Sequence, residues 1–247
     1  LKDAWQLLSG STLQQQPLSA EIPLSNEVVN TLVSMVNKPS DQEFSLSHLE
    51  AIDALLKLSS RLYHYPLKGH HVWSEQDVLA LPLEEIDVAR GLFISQFGSD
   101  RQRIQSYEAL IDLMALQILA RLPKTATPEE KIKAINAFIF EEMGFRFPPH
   151  SLYAKDIDLY TFLPSVLDSR RGVCLGVSIL YICIAQRLAL PLEMITPPGH
   201  IYVRYCSGDK VINIETTARG IHVDSEEYLS MNTCSLQQRS VREVIGM

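Results

Sequence analysis

Cys174 stands at the head of an apolar run, in the stretch RRGVCLGVSILYICIAQRLA over residues 170–189. A thiol in ordinary surroundings has a pKa of ~8.5 and is mostly protonated at neutral pH, whereas the thiolate is the nucleophile. The first turn of a helix alters that balance. Its unpaired N–H groups and the positive end of its dipole favour an anion, and the same groups can receive the oxyanion of an attacked carbonyl. The chemistry that suits this placement is acyl transfer through a thioester. Gly172 would let backbone and substrate approach closely, and Arg170 and Arg171 would add positive potential unless they simply form a solvated helix start or pair with Asp168 or Asp156. A cysteine nucleophile also needs an imidazole within hydrogen-bond reach and a third group to orient that ring. The next histidine is His200, which follows Pro197-Pro198-Gly199.

His200 opens HIYVRYC, which is separated from KVINIE by Ser207-Gly208-Asp209. Two β-branched and aromatic runs around a glycine that can take a positive φ form a hairpin signal. With Cys206 opposite Val211, Arg204 faces Asn213 and Tyr202 faces Glu215. Side chains alternate along a strand, so His200, Asn213 and Glu215 then share one face. Glu215 is the candidate orienting carboxylate and Asn213 its rival. Each of these residues also has a plainer reading: Cys174 as a small buried hydrophobe, and Asn213 and Glu215 as the polar face of a half-exposed strand. Cys183 and Cys206 are expected to be packing residues. His70, His71, His150 and His222 are expected at the surface. The seven histidines form no ligand pattern, and no glycine-rich phosphate loop occurs, so no metal, nucleotide or flavin is expected.

Helices must position these groups. Residues 1–24, rich in Ser, Gln and Pro, read as a loosely ordered lead-in, and residues 25–125 as a helical region. SNEVVNTLVSMVNK, with Ser25 as cap, LSHLEAIDALLKLSSRLY, PLEEIDVARGLFISQFG and QSYEALIDLMALQILARL all carry apolar residues at helical spacing. Thr127-Pro128-Glu129-Glu130 starts another helix, with Thr127 and Glu130 as a capping box and Pro128 at the first helical position. FRFPPHSLYAKDIDLY is an irregular connection, followed by a short helix around FLPSVLDSRRG. Residues 126–247 therefore mix helices with a sheet, and the fold class is α+β.

The chain has 247 residues, 46% of them hydrophobic, enough to bury a sizeable core. Its net charge of -7 opposes broad binding to nucleic acid or to an anionic membrane, because both repel an acidic surface. No apolar run approaches the ~20 residues of a membrane span. Four cysteines without a CxxC pair make no disulfide framework, which fits a reducing cytoplasm.

A cysteine at a helix start, a histidine opening a later strand and an acid on the next strand together resemble the transglutaminase-like superfamily. The resemblance is closer to a bacterial branch, often joined to tetratricopeptide repeats, whose members carry RRG-x-[P or C]-x-x-L-x-x-L-Y, then PGH opening a strand, then an acid followed by Gly. The matching stretches here are RRGVCLGVSILY (170–181), PGH (198–200) and NIETTARG (213–220), with EEIDVARGLFISQF and KIKAINAFIFEEMGFRF upstream, so that roughly residues 81–225 are covered. The resemblance implies a transglutaminase-like core over residues 126–247, in which the nucleophile helix packs on a small antiparallel sheet. It implies Cys174 as nucleophile, His200 as general base and then acid, and Glu215 as orienting carboxylate, with Asn213, Gly172 and Arg171 as possible support. It implies a protein or peptide substrate and no cofactor: transfer to water makes a peptidase or amidase, and transfer to an amine a transglutaminase. The superfamily usually has Asp where Glu215 stands, and many members of the branch lack the cysteine. The alternative is therefore a non-catalytic peptide-binding module on the same fold.

Overall fold

The computed structural model describes residues 57–224 and 238–246. The lead-in over 1–24, the helix expected after Ser25 and the apolar positions Leu49, Ile52, Leu55 and Leu56 lie outside them.

The first helices start where an oxygen-bearing side chain caps exposed N–H groups. Ser74 accepts from Asp77 N–H ahead of α1 (Glu75–Ala80), Asp87 from Arg90 N–H ahead of α2 (Val88–Phe97), and Asp100 from Arg103 N–H ahead of α3 (Arg101–Leu119). Thr127 and Glu130 form the expected capping box of α4 (Pro128–Asn136), whose end widens into a π-helical turn over Ala137–Glu142. After α5 (His150–Tyr153), α6 (Leu163–Ser169) ends at Arg170, which takes a left-handed conformation at φ 54°. The chain thereby turns directly into α7 (Cys174–Arg187), most of whose residues are buried.

Strands β1 (Glu193–Ile195), β2 (Tyr202–Ser207), β3 (Lys210–Glu215), β4 (Ile221–His222) and β5 (Gln238–Arg239) form one antiparallel sheet in the order β4-β3-β2-β1-β5. The hairpin has the expected register, with Arg204 opposite Asn213 and Cys206 opposite Val211, and Gly208 in its turn at φ 58°. The short helix α8 (Val241–Ile245), again opened by a capping box, packs on α2. The architecture is α+β, with α7 lying against both the helices and the sheet.

One hydrophobic cluster runs through the described residues, from Leu58 and Phe93 through Ile118, Ile135 and Leu180 to Val203, Ile214 and Val244. Side chains from both sides of position 125 share it. Among the described residues, no helix is long and apolar enough to cross a membrane.

Candidate active site

Cys174 is the first residue of α7. Val173 before it is in the extended region and offers no side-chain cap, so no cap competes for the first N–H groups of the helix. Two backbone contacts fix the entry: Val173 N–H donates to Tyr160 O at 2.9 Å, and Gly172 N–H to Arg146 O at 3.2 Å. Gly172 thus has another task than the one expected of it. Its N–H is committed to Arg146, and a Cβ there would meet Val177 Cγ2 at 2.8 Å, so its smallness serves packing beneath the helix rather than approach of a substrate. Gly176 is needed more strictly, because a Cβ there would lie 2.5 Å from Tyr160 O. The Tyr160–Thr161 backbone therefore crosses over the first turn of α7 at a distance only glycine permits.

His200 precedes β2. Its Nε2 lies 2.6 Å from Glu215 Oε2, and the Cys174 thiol stands close enough to the ring to raise its pKa. The His200 pKa is raised from 6.5 to about 9, first by the hydrogen bond to Cys174 and then by that to Glu215, against the opposing effect of desolvation. The imidazole side chain remains 29% exposed, so this thiol–imidazole–carboxylate row faces solvent at its middle member.

Glu215 is held from below. Its Oε1 accepts from Thr217 N–H at 3.0 Å and Thr217 Oγ1–H at 2.6 Å, which leaves Oε2 for the histidine. The turn after Glu215 is tied to the helices by further bonds. Ser178 Oγ on α7 lies 2.9 Å from Thr216 Oγ1, while Asn136 Nδ2 donates to Gly220 O and its Oδ1 accepts from Tyr181 on α7 at 2.8 Å. Gly220, at φ 76°, sits where a Cβ would meet Asn136 Oδ1 at 2.2 Å, which accounts physically for a glycine a few residues after the acid. Sequence reading did not find Thr217, Asn136 or Tyr181, and only the capped helix that carries Asn136 hinted at one of them.

Asn213, the rival orienter, is engaged elsewhere. Its Oδ1 accepts from Arg204 Nε at 2.8 Å and its Nδ2 donates to Val223 O at 2.8 Å. Arg204 Nη2 also donates to Tyr202 Oη at 2.8 Å, and the Tyr202 ring stacks on His200 with centroids 6.5 Å apart. Asn213 thus supports the floor of the site through two intermediates, and Tyr202, unremarked in the sequence, contacts the imidazole directly. Arg171 is exposed, and its N–H donates to Ser169 Oγ, while Arg170 donates to Met143 O. Of the acids considered as partners for this pair, Asp168 instead accepts from Tyr107 Oη–H at 2.7 Å.

The other cysteines differ from one another. Cys183 is buried, and burial pushes its thiol up to about 12. Cys206 is exposed rather than packed, because β2 runs past its covered part into the hairpin turn; desolvation and then Glu193 push its thiol up. Cys234 lies outside the described residues. His150 and His222 are exposed, as expected, but His70 is only partly so. It and the fully buried His64 bring ring nitrogens within 4.8 Å of each other and of an Asp87 oxygen, a set of metal-ligating groups that sequence spacing did not reveal.

A family model described as the transglutaminase-like superfamily matches residues 105–242. Over 121 residues the chain is 25% identical to a UPF0162 protein of Xylella fastidiosa, a match covering 49% of this chain and 42% of that protein. It is 31% identical over 77 residues to F-box only protein 21 of Mus musculus and of Homo sapiens, covering 31% of this chain and 12% of theirs. The chain thus spans less than half the length of the curated relatives it matches. No solved structure matches.

Proposed function

Because the chain belongs to the transglutaminase-like superfamily, we propose that it is a cysteine-dependent acyl-transfer enzyme acting on amide bonds of a protein or peptide. The observation that carries this reading is the position of the His200 ring, hydrogen-bonded to Glu215 and close enough to Cys174, at the uncapped start of α7, for the thiol to raise its pKa. An imidazolium beside the thiol is the charge partner that a thiolate nucleophile needs. Cys174 Sγ attacks the carbonyl carbon, and the oxyanion that forms is received by N–H groups of the first turn of α7. His200 then gives its proton to the leaving nitrogen as the C–N bond breaks, which leaves an acyl thioester. Water or an amine attacks the thioester, His200 takes the incoming proton, and the thiolate leaves. Glu215 holds the ring orientation throughout. The reaction requires a free thiol, which suits a reducing cytoplasm.

A second reading, a peptide-binding module without chemistry, is favoured by one observation. The stretch leading into α7 exposes the large apolar side chains Phe147, Leu152, Ile157, Leu159 and Phe162, each at 38% or more. In the catalytic reading the same surface would receive the acyl-donor chain.

The discriminating experiment is alkylation of each cysteine as a function of pH, followed by mass spectrometry, on the native protein and on His200→Ala. Catalytic chemistry requires that Cys174 react fastest below pH 7 and lose that lead without His200. Cys183 and Cys206, with their raised pKa values, serve as internal references. Equal, slow reaction of Cys174 in both proteins, together with peptide binding that survives Cys174→Ala, would establish the binding module instead.

A further inference from the structure

The end of α7 opposite Cys174 carries a second polar centre, about 20 Å away along a helix that rises 1.5 Å per residue. The turn over Lys68–His71 is pressed onto the backbone before α2 so closely that a Cβ on Gly69 would lie 2.3 Å from Asp87 N. This contact brings His70 Nδ1 to 3.1 Å from Asp87 Oδ2. His64 completes the group, with its ring centroid 4.8 Å from that of His70 in an edge-on arrangement. One nitrogen from each ring and one Asp87 oxygen lie within 4.8 Å of one another.

One further observation points to a ligand. His64 has no exposed surface, yet neither of its ring nitrogens has a hydrogen-bond partner in acceptable geometry among the described residues. Its Nε2 approaches Asp112 Oδ1 at 3.3 Å, but Asp112 is already engaged by Arg187 Nε at 2.5 Å and by Tyr65 Oη–H. Buried polar groups are almost always satisfied, so an orphaned imidazole facing a histidine and a carboxylate calls for a partner of its own.

We propose that His64, His70 and Asp87 form a binding site for a divalent first-row transition ion of the zinc class. Two imidazole nitrogens and one carboxylate oxygen are the donors such an ion prefers, and the 3.1 Å between His70 Nδ1 and Asp87 Oδ2 is close to the ~3.3 Å between two ligands of a tetrahedral zinc with ~2.0 Å bonds. His70, the one partly exposed member, marks the entry path. The ion would clamp the segment that carries His64 and His70 to the start of α2, where Asp87 is the cap.

The test uses chain stripped with EDTA, in a Cys174→Ala background so that the thiol–imidazole pair cannot bind the probe. Zn2+ is titrated by calorimetry, and Co2+ by its visible absorption. The expected result is one equivalent of Zn2+ and a tetrahedral Co2+ spectrum, with affinity weakened about tenfold or more by His70→Ala. Asp87→Asn, which keeps a capping oxygen, should weaken it similarly, with far-UV circular dichroism confirming that both variants fold. Absence of a stoichiometric ion, or Zn2+ binding unchanged by both substitutions, overturns the site.

Discussion

The charge on His200 is the residue-scale quantity from which most follows. Its pKa of about 9 in the folded chain, against 6.5 in ordinary surroundings, keeps the ring an imidazolium at neutral pH. A group whose folded pKa is raised contributes stability that is complete below its unfolded pKa and is lost as pH rises through the folded one. The wild type should therefore lose its stability advantage over His200→Ala between about pH 6.5 and pH 9, as read by urea unfolding across that range. Direct titration of the ring by NMR is expected to give a midpoint near 9, which falls toward 6.5 in Cys174→Ala and, by a smaller amount, in Glu215→Gln. In the catalytic reading the alkaline limb of kcat/KM moves down with it in Glu215→Gln. An unchanged midpoint in both variants would remove the physical basis for the pair. Sequence reading found these three residues by type and spacing. It could not separate Glu215 from Asn213, because both face the same way; Arg204 and Val223, which occupy Asn213, made the difference.

At the scale of elements, the site depends on two close approaches at glycines, one to backbone and one to the Asn136 side chain. Gly176→Ala places a methyl group against the carbonyl of Tyr160, where backbone rather than a flexible side chain must move. Overpacking of this kind costs about 1–3 kcal/mol. Gly220→Ala combines a collision with Asn136 and a left-handed conformation that itself costs roughly 1–2 kcal/mol for a residue with a Cβ. Both should lower the urea midpoint more than Thr127→Ala, which removes a cap worth ~1 kcal/mol. Gly220→Ala should also lower the His200 midpoint, since it shifts the turn that positions Glu215. Periodicity and capping residues make the helices legible in the sequence, down to the box at Thr127, and the alternating hairpin makes its own register legible. The close crossings are not legible there, because the partners of Gly176 and Gly220 come from segments whose placement no local pattern encodes.

For the molecule as a whole, Arg187 is the junction. It is fully buried in the last turn of α7, faces Asp112 from α3 and Asp87 from the start of α2, and its carbonyl accepts from Tyr63 N–H at 2.9 Å. Gln186 beside it binds backbone on both sides of Asp87. Removing one partner of a buried ion pair typically costs about 3–5 kcal/mol, so Arg187→Met should be among the most destabilising single changes, measured by the urea midpoint. The loss should appear as one cooperative transition, because α7 joins the helical region and the sheet through a single hydrophobic cluster. Separate transitions would instead mean that the helical region folds independently of the core.

By itself, the sequence determined the elements and the candidate chemistry: the α+β class, the start of α7 at Cys174, the hairpin phase and the family resemblance. Those properties reside in local periodicity, in capping residues and in motifs a few residues long. Tertiary structure decided how the committed hydrogen bonds are distributed. It committed the Gly172 N–H to Arg146, gave Asn213 to Arg204 and Glu215 to His200, and buried His64 beside His70 and Asp87. Each of these results from two segments meeting that are distant in the chain, and such meetings follow from the packing of the whole core, which no local pattern contains.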